Sequence, residues 1–276
     1  EFNNAYQSYL DAVKAAENAL SNANLDILDI DMIILATTTP DLTFPSTASI
    51  VQRKLGAKNA TSFDVQAVCS GFIYGMSIAE GYFATGKIKN ALIIGAETLS
   101  KIIDFEDRTT CVLFGDGAGA VVLSATQDTS TSGLIGSHIS TIADHTDLLK
   151  TTAGIGDGGI KGAITMQGQE VFRHAVSNLK KVCVDLLKQH NMSKTDINYL
   201  VPHQANKRII DSTAKHLGLN PDNVIITVQN HANTSAASIP LALDHANKEG
   251  KFKTGDVLML EAFGAGFTFG GVLLKW

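Results

Sequence analysis

The chain is written twice, and that repetition restricts its architecture more than any single motif does. Residues 6–22 have the periodicity of an amphipathic helix, with Tyr6, Leu10, Val13, Ala16 and Leu20 at helical spacing. A short connection, Asn24 to Asp31, leads to the apolar run Met32–Ala36, which has the length of a buried strand. Further on, Phe172, Val176, Leu179, Cys183 and Leu186 predict a second helix of the same phase, followed by Ser193-Lys194-Thr195-Asp196 and the strand Tyr199–Val201. Setting Ile30 against Ile197, an offset of 167, also matches Leu20 with Leu187. Downstream, Gly86-Lys87-Ile88-Lys89 precedes the strand Ala91–Ile94, and Gly250-Lys251-Phe252-Lys253 precedes the strand Val257–Leu260. Each copy then reaches a glycine-rich segment, 114–123 or 263–274, read here as a hairpin.

An internal duplication accounts for this pattern, with its junction in the polar stretch Thr126–Ser132 and halves at 1–128 and 129–276. Strands that alternate with helices and read as near-continuous apolar runs predict α/β halves whose sheets are covered on both faces. A ligand site is then expected where loops of the two halves meet.

Charge and cysteine usage exclude several classes. The net charge of −5 argues against a surface built for nucleic acid or an anionic membrane. No apolar run approaches the roughly 20 residues that span a bilayer, and the first residues lack the basic-then-apolar pattern of a secretory signal. Cys69, Cys111 and Cys183 are odd in number and far apart, so a disulfide scaffold is not expected and a cytoplasmic location is. No Cys/His cluster has metal-ligand spacing, and neither a metal nor a redox cofactor is expected.

Three positions carry candidate chemistry. Cys69 falls between a strand-like run and a helical one that continues through Ala84, so it stands near a helix N-terminus, where backbone N–H groups and the dipole favour a thiolate. The alternative is a buried small apolar residue, the reading that Cys111 and Cys183 receive. His203 follows the strand residues Leu200 and Val201, at the rim where α/β proteins keep their chemistry, though a structural histidine also fits. Asn233 lies in a small polar tract that opens a helix, where a cap or turn asparagine is equally natural. The other histidines (His138, His145, His174, His190, His216, His231, His245) have no such context. Gly115 to Gly119 imitates a phosphate-binding loop, but a β-like run, Val121–Leu123, follows where a helix would be required; close backbone packing is expected instead.

Together these segments resemble the thiolase superfamily and, within it, the β-ketoacyl-acyl-carrier-protein synthase III family. The resemblance rests on Thr43–Ser46, Ala67–Gly71, Asp107-Arg108, Phe114–Gly119, Pro202–Asn206, Asn233–Pro240 and Gly264–Thr268, which occur in the family's order over almost the whole chain. It implies a thiolase-like fold of two duplicated α/β halves in α-β-α-β-α layers, and a Cys–His–Asn catalytic set falling on Cys69, His203 and Asn233. The implied activity is decarboxylative Claisen condensation of an acyl-CoA primer, acetyl-CoA on the family pattern, with malonyl-acyl-carrier protein, through an acyl-Cys69 intermediate. The products would be 3-ketoacyl-acyl-carrier protein, CoA and carbon dioxide.

The same resemblance assigns an oxyanion hole to the backbone N–H groups of Cys69 and Ala265. It implies a pantetheine tunnel lined by Phe172, Ala205, Asn206 and Phe263, with Gly168 nearby and Arg108 near the CoA adenine. Lys207 and Arg208 would meet the acidic acyl carrier protein, and Phe44 would cross a two-fold homodimer interface. Family members usually carry roughly 40 residues more ahead of the first helix, including a first strand, and trimming or processing of this chain is expected. Three rival readings remain: a polyketide-type synthase acting on free CoA thioesters, a cysteine thioester hydrolase, and a non-catalytic acyl-CoA-binding protein.

Overall fold

The structure, a computed structural model, describes residues 8–126 and 132–276. The first half runs α1 (Ser8–Ala23), β1 (Met32–Ala36), α2 (Thr47–Leu55), β2 (Thr61–Val65), α3 (Gly71–Ala84), β3 (Asn90–Thr98) and β4 (Asp116–Ser124). The second runs β5 (Gly133–Thr141), β6 (Leu149–Thr151), β7 (Ile164–Met166), α4 (Gly168–Gln189), β8 (Tyr199–Pro202), α5 (Lys207–Leu217), α6 (Val228–His231), α7 (Ser238–Lys248), β9 (Val257–Gly264) and β10 (Thr268–Lys275). The junction between 128 and 129 lies outside the described residues, as does Tyr6.

The repetition read from the sequence is real in three dimensions. One sheet has the order β2-β1-β3-β4 and the other β5-β10-β9-β8, with β6 and β7 forming a separate pair. In the first, β1 runs parallel to β2 and β3 while β4 is antiparallel to β3; in the second, β8 is parallel to β9 and β10 is antiparallel to it. The offset of 167 relates β1 to β8 and persists in their pairing: Ile34 faces Ile93 as Val201 faces Leu260. It also relates two single 3-10 turns, Val68–Ser70 and Ser235–Ala237, and the starts of α3 and α7.

Three apolar clusters fill the spaces of a five-layer α-β-α-β-α stack. Ala12, Ala16 and Leu20 of α1 and Ala48 and Val51 of α2 cover the outer face of the first sheet, against Ile33, Leu35, Leu92 and Ile94. Phe72, Ile73 and Met76 of α3 and Ile239, Ala242 and Leu243 of α7 fill the space between the sheets. Leu179, Cys183 and Leu186 of α4 and Ile210 and Leu217 of α5 cover the second sheet from outside. Cover on both sides is why all five residues of β1 and all eight of β9 are buried.

Two local expectations are corrected. The buried face of α1 is Ser8, Ala12, Ala16 and Leu20, whereas Leu10 is 44% exposed. Small side chains let this helix close on the sheet, and Leu10 stands roughly 200° round the helix from Ala12. The glycine-rich segment of the first half is not a tight hairpin: β3 and β4 are antiparallel but a long loop joins them, and Gly117 and Gly119 lie within β4. A Cβ on Gly119 would stand 2.9 Å from both the Leu241 amide nitrogen and the Pro240 Cβ, so the bare backbone admits α7. The tight hairpin exists in the second half, where β9 turns into β10. Beside β10, β5 supplies one further antiparallel strand; the matching edge of β4 has no paired strand among the described residues.

Candidate active site

Cys69 occupies the turn between β2 and α3, where the chain reverses through Val68 at φ 50°. Gly71 opens the helix because a Cβ there would lie 2.9 Å from that of Ala36, at the end of β1. The turn is sewn to the other half by side chains. The Ser70 hydroxyl donates to the Thr268 carbonyl at 2.9 Å, and the Thr268 hydroxyl lies 2.8 Å from the Ala67 carbonyl and 3.1 Å from that of Ala265. Gly264 presses on the nucleophile turn so closely that a Cβ would stand 2.8 Å from the Cys69 nitrogen. The backbone of Gly264, next to Ala265, therefore lies against the Cys69 amide.

His203 follows β8, and its N–H is anchored to the Glu261 carbonyl at 2.8 Å. The ring is 5% exposed. Its Nδ1 lies 2.7 Å from the Ser238 hydroxyl, which also accepts the Gln204 N–H at 3.2 Å, while Nε2 is buried with no partner. Burial pushes the imidazole down to about 3, so it is neutral near pH 7. The Ser238 hydrogen is free to point at Nδ1, which leaves the ring proton on Nε2 as a donor.

Asn233 is held at both ends of its peptide unit. Its N–H donates to the Leu113 carbonyl at 2.9 Å and its carbonyl accepts the Gly115 N–H at 3.0 Å. Its side-chain Oδ1 accepts the Ser235 N–H at 2.9 Å, so the remaining amide group, Nδ2, is a donor. Cys69, His203 and Asn233 all line one cavity of 680 Å³, within the usual size of a small-molecule site.

The cavity runs to the protein surface at Asn206 and Arg208. Gly168, Phe172, Ala205, Asn206 and Phe263 line it, and so does Arg208, expected at the carrier-protein contact, whose guanidinium sits over the Phe172 ring at 5.2 Å. Asn206 has a second task, capping α5 by accepting the Arg208 N–H at 2.9 Å. Three predicted positions are not brought to the cavity. Phe44 is 82% exposed, Arg108 is exposed on the loop between β3 and β4, and Lys207 faces solvent in an ion pair with Asp211 at 2.7 Å.

The expected thiolate is also corrected. Cys69 is 5% exposed, and burial pushes its thiol up to about 12. At rest the site holds a neutral thiol beside a neutral imidazole. Sequence reasoning missed the bracing residues. Gln204 is fully buried and uses its whole amide: Nε2 donates to the carbonyls of Pro202 and Ile225, and Oε1 accepts from the N–H groups of Thr227 and Val228. Gln204 and Ser238 both lie inside segments that carried the resemblance, but their type alone did not separate a brace from a ligand.

Comparison with known proteins agrees with this geometry. The description "3-Oxoacyl-[acyl-carrier-protein (ACP)] synthase III" matches residues 63–143, and its C-terminal counterpart matches residues 187–276. A beta-ketoacyl-[acyl-carrier-protein] synthase III of Sphingopyxis alaskensis is 52% identical over 261 residues, covering 95% of this chain and 81% of that one. Its namesake in Neisseria gonorrhoeae is 53% identical over 268 residues, 96% of this chain and 83% of the other. The crystal structure of 3-oxoacyl-[acyl-carrier-protein] synthase III from Aquifex aeolicus superposes with a TM-score of 0.93 at 43% identity, covering 99% of this chain and 86% of that one. Fold and site thus define a thiolase-fold condensing enzyme, a transferase of acyl groups. Within that class the chain belongs to the β-ketoacyl-[acyl-carrier-protein] synthase III family, the condensing enzymes of fatty acid synthesis.

Proposed function

We propose that the chain joins an acyl-CoA primer, acetyl-CoA in the first instance, to malonyl-acyl-carrier protein through an acyl-Cys69 intermediate. The Cys69 sulfur attacks the thioester carbonyl, and its proton leaves with the departing CoA sulfur. The backbone N–H groups of Cys69 and Ala265 stabilise the tetrahedral oxyanion. Malonyl thioester then loses carbon dioxide, and the enolate oxygen that forms is bound by His203 Nε2–H and Asn233 Nδ2–H. The enolate carbon attacks the acyl-Cys69 carbonyl, and collapse expels the Cys69 thiolate, which is reprotonated. The steps transfer no redox equivalent and call for no metal or redox cofactor.

One observation carries this reading: a buried thiol shares a cavity with a buried, neutral histidine whose Nε2 has no protein partner. An imidazolium would protonate a carbanion, whereas a neutral donor stabilises an enolate without supplying a full proton. The exposed mouth at Asn206 and Arg208 and the Phe172–Arg208 pair suit a pantetheine arm entering from a CoA or a carrier protein, with Arg208 and Lys207 offering charge to the acidic partner. Arg108 is assigned to the CoA end of the same substrate. The exposed apolar side chains Leu42, Phe44, Phe105 and Val112 support a homodimer in which Phe44 reaches the partner. No helix among the described residues is long and apolar enough to cross a membrane, and three free cysteines accord with a cytoplasmic location.

Intact mass spectrometry after mixing with acetyl-CoA tests the reading. A single acetyl adduct is expected, mapping to Cys69 and absent in Cys69→Ser. His203→Ala should still be acylated but should release carbon dioxide from malonyl-acyl-carrier protein about 100- to 1000-fold more slowly. Free acetate without a malonyl donor would favour the hydrolase reading. Equal turnover of malonyl-CoA and malonyl-acyl-carrier protein would favour the polyketide-type one. No adduct with any acyl-CoA would overturn the proposal.

A further inference from the structure

Two histidines with no part in the condensation meet behind the wall of the cavity. His145 ends the 3-10 turn Ala143–His145, and His174 stands near the start of α4. Their ring centroids lie 4.2 Å apart, with the planes tilted by 46°. Both rest on Phe267, whose ring is 5.2 Å from that of His174 and 6.0 Å from that of His145. Phe267 is fully buried, and it exchanges two backbone bonds with Ile142: its N–H donates to the Ile142 carbonyl at 2.6 Å, and its carbonyl accepts the Ile142 N–H at 2.8 Å. The floor of the pair is thus tied to the segment that carries His145. On α4, Val171 and Ala175 are packed into the core on either side of His174. Neither histidine lines the 680 Å³ cavity.

The four ring nitrogens are uncommitted. Among the described residues, His203 and His245 have a ring nitrogen in a hydrogen bond or ion pair, whereas neither ring of this pair does. His190, His216 and His231 each bury a ring nitrogen without a partner; His145 and His174 bury none, and both residues are half-buried, so their nitrogens face water. Imidazole nitrogen suits zinc, copper and nickel, while magnesium and calcium take oxygen ligands. Two imidazoles cis on one ion, with metal–nitrogen bonds of about 2.1 Å, have ring centroids about 5 Å apart, close to the 4.2 Å seen here. The 46° wedge opens room that a parallel stack lacks, so side-chain rotation can aim one nitrogen of each ring at the same ion. The carboxylates close by in sequence, Asp147 and Glu170, are paired with Lys150 and Arg173. No third His, Cys, Asp or Glu joins the two rings among the described residues.

We propose that His145 and His174 together bind one divalent cation of the zinc, copper and nickel class, with water in its remaining positions. The ion takes no part in the condensation. It ties the turn at 143–145 to α4 across Phe267, whose ring lies 4.6 Å from that of Phe263 in the cavity wall. Spacing along the chain hid the pair, because its members stand on separate elements far apart in sequence.

Titration calorimetry of the intact protein with zinc chloride tests this. His145→Ala, His174→Ala and Cys69→Ser are run beside the parent, since the Cys69 thiol and His203 are the rival pair of zinc ligands. One ion per chain is expected at the paired histidines in the parent and in Cys69→Ser. Each histidine variant should bind at least about 10- to 100-fold more weakly, because removal of even an outer-shell partner costs that much. Magnesium chloride at the same concentration should give no response. Carbethoxylation of the parent by diethyl pyrocarbonate, read peptide by peptide, gives a measurement that no variant's folding can disturb: zinc should shield His145 and His174 together. Shielding of fewer than both rings overturns the chelate, as does unchanged zinc affinity in either histidine variant. An equal response to magnesium also overturns it. Binding that survives in the histidine variants and vanishes in Cys69→Ser moves the ion to the nucleophile and overturns the proposed site.

Discussion

His203 shows how much protein is spent on orienting one ring. Its backbone is tied to β9, its Nδ1 to Ser238, and the next residue, Gln204, bonds to four backbone groups around it. The β9 residue that anchors it, Glu261, is itself anomalous: 1% exposed, with Oε2 unpartnered and its carboxyl pushed up to about 8 by burial. The unfolded chain would titrate this group near 4.5. The native state therefore holds the proton to higher pH than the unfolded state, and stability falls as pH rises from about 4.5 towards 8. Glu261→Gln stays neutral throughout and should gain on the order of 1–3 kcal/mol at pH 8 and little at pH 4. Chemical denaturation at both pH values checks it. His203 has the reverse sign: with its native pKa lowered to about 3, it costs stability as pH falls below about 6.5.

At the level of elements, the site depends on turns being allowed to touch strands. Gly95, in β3, faces Ala36 across the sheet, and a Cβ there would stand 2.2 Å from the Ala236 carbonyl oxygen. Backbone on the far side leaves no flexible side chain to yield. Gly95→Ala should cost about 1–3 kcal/mol and displace the turn that follows Asn233, lowering turnover more than it weakens the fold. Thermal melting set beside acylation and condensation rates would separate the two. Much of this element plan was legible in the sequence. Met32–Ala36 and Tyr199–Val201 read as strands because cover on both faces makes them uniformly apolar, and Cys69, His203 and Asn233 each fell at a turn the periodicity had located. Packing by small residues was only partly legible: Ala16 and Leu20 of the predicted α1 face make the contact, but Ala12 and Ser8 stand there in place of Leu10.

For the whole molecule, the proposed homodimer would cover Phe44, 82% exposed, with Leu42 at 53%, Phe105 at 69% and Val112 at 71%. A Phe44→Glu variant should sediment at half the mass of the parent, because a charge placed in an apolar contact costs several kcal/mol. Its cavity should still acylate, and sedimentation velocity with the mass assay decides both points. Phe44 and Arg108 lie outside the cavity of their own chain, and only in the proposed homodimer would Phe44 reach the partner's.

The staple between the halves also imposes an order in time. Ser70 meets Thr268 at a separation of 198 positions along the chain. A ribosome that has released the first half has made the thiol but neither of its two donors, nor the strand pair that closes over it. Contacts so remote in sequence form late, after the local parts of each half have settled. The enzyme thus becomes competent in a single final step, and a nascent or partly unfolded chain carries an uncovered cysteine rather than a weakly active one.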